Sequence, residues 1–117
     1  MSFILFHNPN CSKSRECLKL LQEKKIDFKI RNYIKEKLNK NELKKIIEGL
    51  NNEDLNNILR TKNAIDFDYN NKKKLIKYLE ENQKDMQRPI FFNKKKYTIC
   101  RPPEKVLMVE GVGFEPT

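Results

Sequence analysis

Phe3-Ile-Leu-Phe-His-Asn-Pro-Asn-Cys-Ser-Lys-Ser-Arg15 is the stretch on which the reading of the fold turns. Four apolar residues run without a break and stop at His7-Asn8-Pro9, the pattern of a short buried strand ended by a turn. Over residues 12–25, Cys17, Leu18, Leu20 and Leu21 then recur at helical spacing. Cys11 therefore stands where a strand hands over to a helix. The first N–H groups of a helix have no partner within it, and its dipole is positive at that end, so a sulfur placed there is more easily held as thiolate.

Working outward, Ile26, Phe28 and Ile30 alternate with polar residues up to Tyr33, the period of a half-buried strand. A strand, a helix and a second strand make a β-α-β unit with a parallel pair. From Asn39 to about Asn82 the pattern becomes helical. Asn41 is expected to cap a helix carrying Leu43, Ile46, Ile47 and Leu50; a second helical segment holds Leu55, Ile58 and Leu59 and ends at Arg60; a third holds Leu75, Ile76 and Leu79. Residues 61–71 between the last two read as a polar loop with Phe67 and Tyr69. Residues 89–92 and 96–99 flank Asn93-Lys94-Lys95 as a hairpin, and Pro102-Pro103 open a last short helix through Val109. The expected class is α/β with a mixed sheet, in the order β-α-β, helices, β-β-α. This order resembles a thioredoxin-like fold with a helical insertion at about 39–85. A single domain is expected over residues 1–110, with 111–117 a disordered tail.

The 117 residues suffice for a core that needs neither disulfide nor metal to fold. Only 38% are hydrophobic and 35% are charged, but the apolar residues are grouped periodically, which argues for a folded chain. The net charge of +9 comes mostly from lysine, and only five of the 25 basic residues are arginine. Lysine faces interspersed with asparagine read as solvated surface rather than as base-reading or stacking sites, so nucleic acid is not the expected partner. Cys11, Cys17 and Cys100 are odd in number and lack the spacing of a disulfide framework or zinc site. Reduced thiols in the cytoplasm fit this pattern, and no metal site is expected. No apolar run reaches signal-peptide or membrane-spanning length, so no membrane association or export is expected.

A site for a small oxyanion needs a nucleophile, backbone N–H groups and fixed cations around the oxygens. Arginine suits the last role, because its planar fork stays charged and matches two oxygens at once. In a lysine-rich chain the scarce arginines are therefore informative. Arg88 and Arg101 each precede a proline at the edges of the expected hairpin, and Arg60 closes the second helical segment. Cys17 lies in an apolar stripe and Cys100 in a strand-like run, so both read as core. His7, the sole histidine, either bonds the nearby turn or is structural.

With these residues assembled, the chain resembles the glutaredoxin-coupled arsenate reductases of the thioredoxin-like superfamily over about residues 1–110. The resemblance rests on four motifs in order: His7-Asn-Pro-Asn-Cys-Ser-Lys-Ser-Arg15, Leu59-Arg-Thr-Lys62, Arg88-Pro-Ile90 and Cys100-Arg-Pro-Pro-Glu104. It implies that Cys11 is the nucleophile toward arsenate and that Arg60, Arg88 and Arg101 hold the oxyanion. It implies as well that His7 and Ser14 support the thiolate, and that Pro89 is a cis proline facing the site. No bound cofactor is implied; glutathione is the co-substrate, and glutaredoxin clears the mixed disulfide. Ser14 stands where a second cysteine would make Cys-x-x-Cys, which agrees with an external resolving thiol. Relative to the family, the stretch from Arg60 to Arg88 is short and a helical extension after the Arg-Pro motif is missing, so apolar surface is expected near Val106 and Val109. Two other functions share the fold: a Spx-like regulator contacting RNA polymerase, and a paralogous oxidoreductase acting on another oxyanion or a glutathione mixed disulfide.

Overall fold

The alternation of side chains along the first strand sets the layers of the molecule. The computed structural model describes residues 2–61 and 67–112. Strand β1 (Phe3–His7) sends Leu5 to one face and Phe6 to the other, and both are buried. Helix α1 (Ser12–Glu23) follows, then β2 (Phe28–Asn32), α2 (Lys40–Gly49), α3 (Asn52–Leu55) and α4 (Lys72–Glu81). A 3₁₀ turn (Gln83–Asp85), β3 (Ile90–Phe92), β4 (Tyr97–Ile99) and a 3₁₀ helix (Pro103–Met108) complete the order.

The sheet is mixed, in the order β2-β1-β3-β4. β1 pairs parallel with β2 in the register Phe3 with Phe28, and antiparallel with β3, where Phe6 faces Ile90. β3 and β4 form the expected hairpin, Ile90 opposite Ile99. This is the expected α/β architecture.

On one face Leu5 and Phe91 pack with Cys17 and Leu21 of α1 and with Val106, Val109, Cys100 and Val112. On the other, Phe6, Ile90 and Phe92 meet the apolar stripes of α2 and α4. Each fully buried Leu, Ile or Phe contributes roughly 1.5–3 kcal/mol from removal of apolar surface from water. α2 ends at Gly49 directly on the Tyr97 ring, where a Cβ would stand 2.3 Å from a ring carbon; only glycine admits this approach.

Five expectations are corrected. The α2 cap is Asn39, not Asn41: Asn39 accepts from the Glu42 N–H while the Glu42 carboxylate accepts from the Asn39 N–H. Asn41 has Lys44 three residues on and cannot form this reciprocal pair. The second helical segment stops at Leu55 after a single turn capped by Asn51. Ile58 and Leu59 are buried, but in an extended segment: Leu59 bridges Met86, and the Gln87 N–H donates to the Ile58 carbonyl. Asn56 and Asn57 are poor helix formers, and pairing with residues 85–87 satisfies the backbone instead. Ile30 is 49% exposed rather than half-buried, because β2 is an edge strand that the helices leave uncovered at that point. The last helix is 3₁₀, and Val106 and the following Val109 are buried against α1 rather than open to solvent, leaving Met108 as the exposed apolar side chain of that helix. Val112 also remains within this core, while 113–117, the rest of the expected tail, lie outside the described residues, as do residues 62–66 of the polar loop. Among the described residues no helix is long and apolar enough to cross a membrane.

Candidate active site

The register of the sheet gathers the candidate residues at one end. Because β1 and β2 are parallel, their carboxyl ends coincide; because β3 is antiparallel to β1 and β4 to β3, the start of β3 and the end of β4 lie there too. Cys11 follows β1, Tyr33 follows β2, Arg88 precedes β3 and Arg101 follows β4. Ligands of open α/β sheets bind in this position, outside the carboxyl ends of the parallel strands.

Cys11 is the N-cap residue of α1, in extended conformation, and no side chain caps the helix by hydrogen bond. Its N–H donates to the Asn8 carbonyl (3.0 Å) and its carbonyl accepts from the Arg15 N–H (3.0 Å). The thiol is partly exposed. Burial, the largest single influence, raises its pKa. The Ser14 N–H, the Arg88 guanidinium and the Lys13 N–H together outweigh it, and the net shift is downward. Arg101 Nη1 stands 4.0 Å from Sγ and donates to the Arg88 carbonyl at 3.0 Å. Arg88 is anchored in turn, its Nη1 donating to the Lys84 carbonyl at 2.8 Å. Its Nε is buried without a hydrogen-bond partner among the described residues.

Arg60 is brought near by the extended pairing, its N–H donating to the Asp85 carbonyl at 2.9 Å. Asp85 also accepts from the Thr61 N–H and hydroxyl, each at 3.0 Å, and from the Tyr78 hydroxyl. Contrary to the expectation from sequence, Arg60 does not end a helix; it sits on an extended segment clamped by Asp85. Its side chain is exposed and is not among the groups acting on Cys11, although its charge reaches the Tyr33 phenol. Lys62 of the same motif lies outside the described residues.

His7 and Ser14 are both buried and bond each other, Nδ1 to Oγ at 2.7 Å, while Ser14 Oγ also accepts from the Asn8 N–H at 3.1 Å. Burial and the Arg15 charge lower the His7 pKa, so the ring is neutral near pH 7. This triangle ties the end of β1 to the first turn of α1 and so fixes where Cys11 stands. The part of Ser14 that acts on the thiol is its backbone N–H, not its hydroxyl. The Arg88–Pro89 peptide is cis, and so is Arg101–Pro102, which the sequence reading did not anticipate.

Cys17 and Cys100 are 0% exposed. The neighbouring Cys17 thiol and burial push the Cys100 pKa well up. Among the described residues no three His, Cys, Asp or Glu side chains converge as metal ligands. A cavity of about 660 Å³ adjoins the site, lined by Tyr33, Lys37, Thr61, Tyr78, Lys84 and Asp85 among others. Along the sequence Tyr33 marks only the end of a strand, and nothing in its neighbours sets it apart as a site residue. The available signal was topological: in a β-α-β unit, the residue after the second strand lies beside the turn after the first.

Residues 6–109 match the model of the ArsC family. The chain is 38% identical over 115 residues to an arsenate reductase of Haemophilus influenzae, covering 93% of this chain and 99% of the relative. It is 32% identical to the uncharacterised protein YfgD of Escherichia coli, covering 92% and 95% of the two chains. The solved arsenate reductase of Vibrio cholerae superposes with a TM-score of 0.79 at 30% identity, over 93% of this chain and 98% of that one. A family match that spans every residue from Phe6 past Arg101, joined to this arrangement of Cys11, Arg88 and Arg101, places the chain in the ArsC family, within the thioredoxin-like fold.

Proposed function

We propose that this protein reduces arsenate to arsenite through Cys11, using glutathione and glutaredoxin as the thiol source. One observation carries the reading: a partly exposed thiol at the start of α1, its pKa held down by N–H groups and Arg88, with the Arg101 guanidinium 4.0 Å from its sulfur. That is a nucleophile set beside cations suited to an oxyanion.

In this reading Arg88 and Arg101, with Arg60 from the extended segment, hold arsenate over Cys11. The thiolate attacks arsenic(V), forming an S–As bond as one arsenate oxygen leaves as water with protons from solvent. A glutathione thiolate then attacks the Cys11 sulfur. The S–As bonding pair stays on arsenic, which leaves as arsenite, and a Cys11–glutathione disulfide forms. A glutaredoxin thiolate attacks the glutathione sulfur and releases Cys11. Cys17 and Cys100 lie in the core and Ser14 occupies the position of a vicinal resolving cysteine, so the second thiol comes from outside the chain.

The test is arsenate-dependent NADPH oxidation coupled through glutathione reductase, with and without glutaredoxin, run beside thioredoxin and its reductase. Turnover with glutathione and glutaredoxin, lost in Cys11→Ser, is expected. Turnover with thioredoxin alone would overturn the reductant, and turnover surviving Cys11→Ser would overturn the nucleophile.

A further inference from the structure

The Tyr33 side chain is 3% exposed, and its O–H donates to no acceptor among the described residues. Buried hydroxyls almost always find partners, because desolvating an O–H without return is costly. The position of this one is specific. Tyr33 directly follows β2, and Asn32 pairs with His7, so Tyr33 stands next to Asn8 at the end of the sheet that carries Cys11. The second unpartnered buried donor at this end is Arg88 Nε. Two buried donors from different elements, both lacking an acceptor and both beside one thiol, describe a site whose acceptor is the ligand.

We propose that the Tyr33 hydroxyl is an oxyanion-binding group of the Cys11 site, donating a hydrogen bond to an oxygen of the bound tetrahedral anion. The inference rests on the arsenate reading only for the identity of that anion. Each strand then delivers one group to the site: β1 leads to Cys11, β2 to Tyr33, β3 begins after Arg88 and β4 leads to Arg101.

The environment suits a neutral donor. Burial pushes the phenol up to about 12, against Arg88, which acts in the opposite direction, and with the Cys11 thiolate, which reinforces burial. The Asn8 side-chain amide, acting on the phenol oxygen as a donor, and the Arg60 charge add smaller downward influences; Asn8 Oδ1 is occupied by the Asn10 N–H at 2.9 Å, so the Tyr33 O–H is left without an acceptor. The hydroxyl therefore keeps its proton well above neutral pH. It can donate to an anion without adding positive charge, as a third arginine would, and without repelling the thiolate, as a phenolate would.

The test compares the full chain with Tyr33→Phe, which removes the hydroxyl and keeps the ring. Inorganic phosphate and arsenate are titrated as protectants of Cys11 against iodoacetamide, and arsenate turnover is measured in parallel. The expected result is a half-protecting concentration raised about tenfold in Tyr33→Phe for both anions, with the arsenate KM raised alongside. The melting temperature should be unchanged or higher, since an unpartnered hydroxyl has been removed, and the pH profile of alkylation without anion should not move. Equal protection in the two proteins overturns the proposal, as does no protection of the wild type by either anion. A lowered melting temperature overturns it too, because it would show that the hydroxyl has a partner in the protein. If phosphate protection weakens in Tyr33→Phe while neither protein turns over arsenate, the Tyr33 assignment stands and the arsenate reading falls.

Discussion

Cys11 and Cys100 lie at the same end of the same sheet, one after β1 and the other after β4, and they differ in every property that matters to a thiol. Cys11 is partly exposed, at a helix start, with a lowered pKa. Cys100 is fully buried beside Cys17, with a raised one. The residue next to Cys100, Arg101, is the one that reaches Cys11. Distance from the site therefore decides little. What decides is the layer: along β4 and the residues after it, one side chain enters the core below the sheet and the next turns toward the crevice at its end, and only the crevice offers N–H groups and guanidinium charge.

The sharpest way to break this contrast is to exchange the thiols. Cys11→Ser should lower arsenate turnover by at least about 10³-fold, whereas Cys17→Ser and Cys100→Ala should change turnover only a few-fold and act mainly on the melting temperature. Alkylation of the native protein should modify one thiol, with a midpoint below the ordinary cysteine range, and the other two only after unfolding. The sign follows from the shift. The folded state favours the Cys11 thiolate, so this group contributes stability above the pKa of an unfolded thiol and loses it as pH falls through the lower folded value.

Next in size are the cations. Arg88→Lys and Arg101→Lys keep the charge but lose the fork, and each should reduce kcat/KM for arsenate by roughly 10–100-fold. Equal activity in either variant would remove that arginine from the site. Asp85→Asn tests the clamp on the Arg60 segment. It weakens the acceptors of Thr61 and Tyr78, should cost about 1–3 kcal/mol in stability and should raise KM more than it lowers kcat. The smallest effect is expected at the start of α2. Glu42 pairs with Arg31 at 2.8 Å and closes the α2 capping box, and Glu42→Gln should cost about 0.5–1 kcal/mol in urea melts with no loss of activity. Arg31 holds the Glu42 carboxyl below its ordinary pKa, so in the wild type this contribution is present above that value and fades as pH falls through the folded one.

Much of this molecule is legible along the chain. The uninterrupted apolar run of β1, the helical stripe of α1 and the hairpin of β3 and β4 are local patterns, and local patterns survive folding when nothing competes with them. The extended segment at Ile58 and Leu59 does not, because its apolar spacing fits a helix and only its partner, residues 85–87, makes the strand-like alternative better. The same holds for Ile30, apolar in sequence yet exposed, since β2 lies at the edge of the sheet.

The site divides along the same line. Sequence alone determined that Cys11 caps a helix, that Arg60, Arg88 and Arg101 are the arginines to watch, and that no vicinal cysteine accompanies the nucleophile, because these are properties of residue type and spacing. Only the tertiary structure decided that Arg88 and Arg101 act on Cys11 while the exposed Arg60 does not, that Ser14 acts through its N–H, and that Tyr33 belongs to the same end of the sheet. The physical reason is register: one parallel and two antiparallel pairings bring four distant points of the chain to one end of a sheet, and no window along the sequence contains them together.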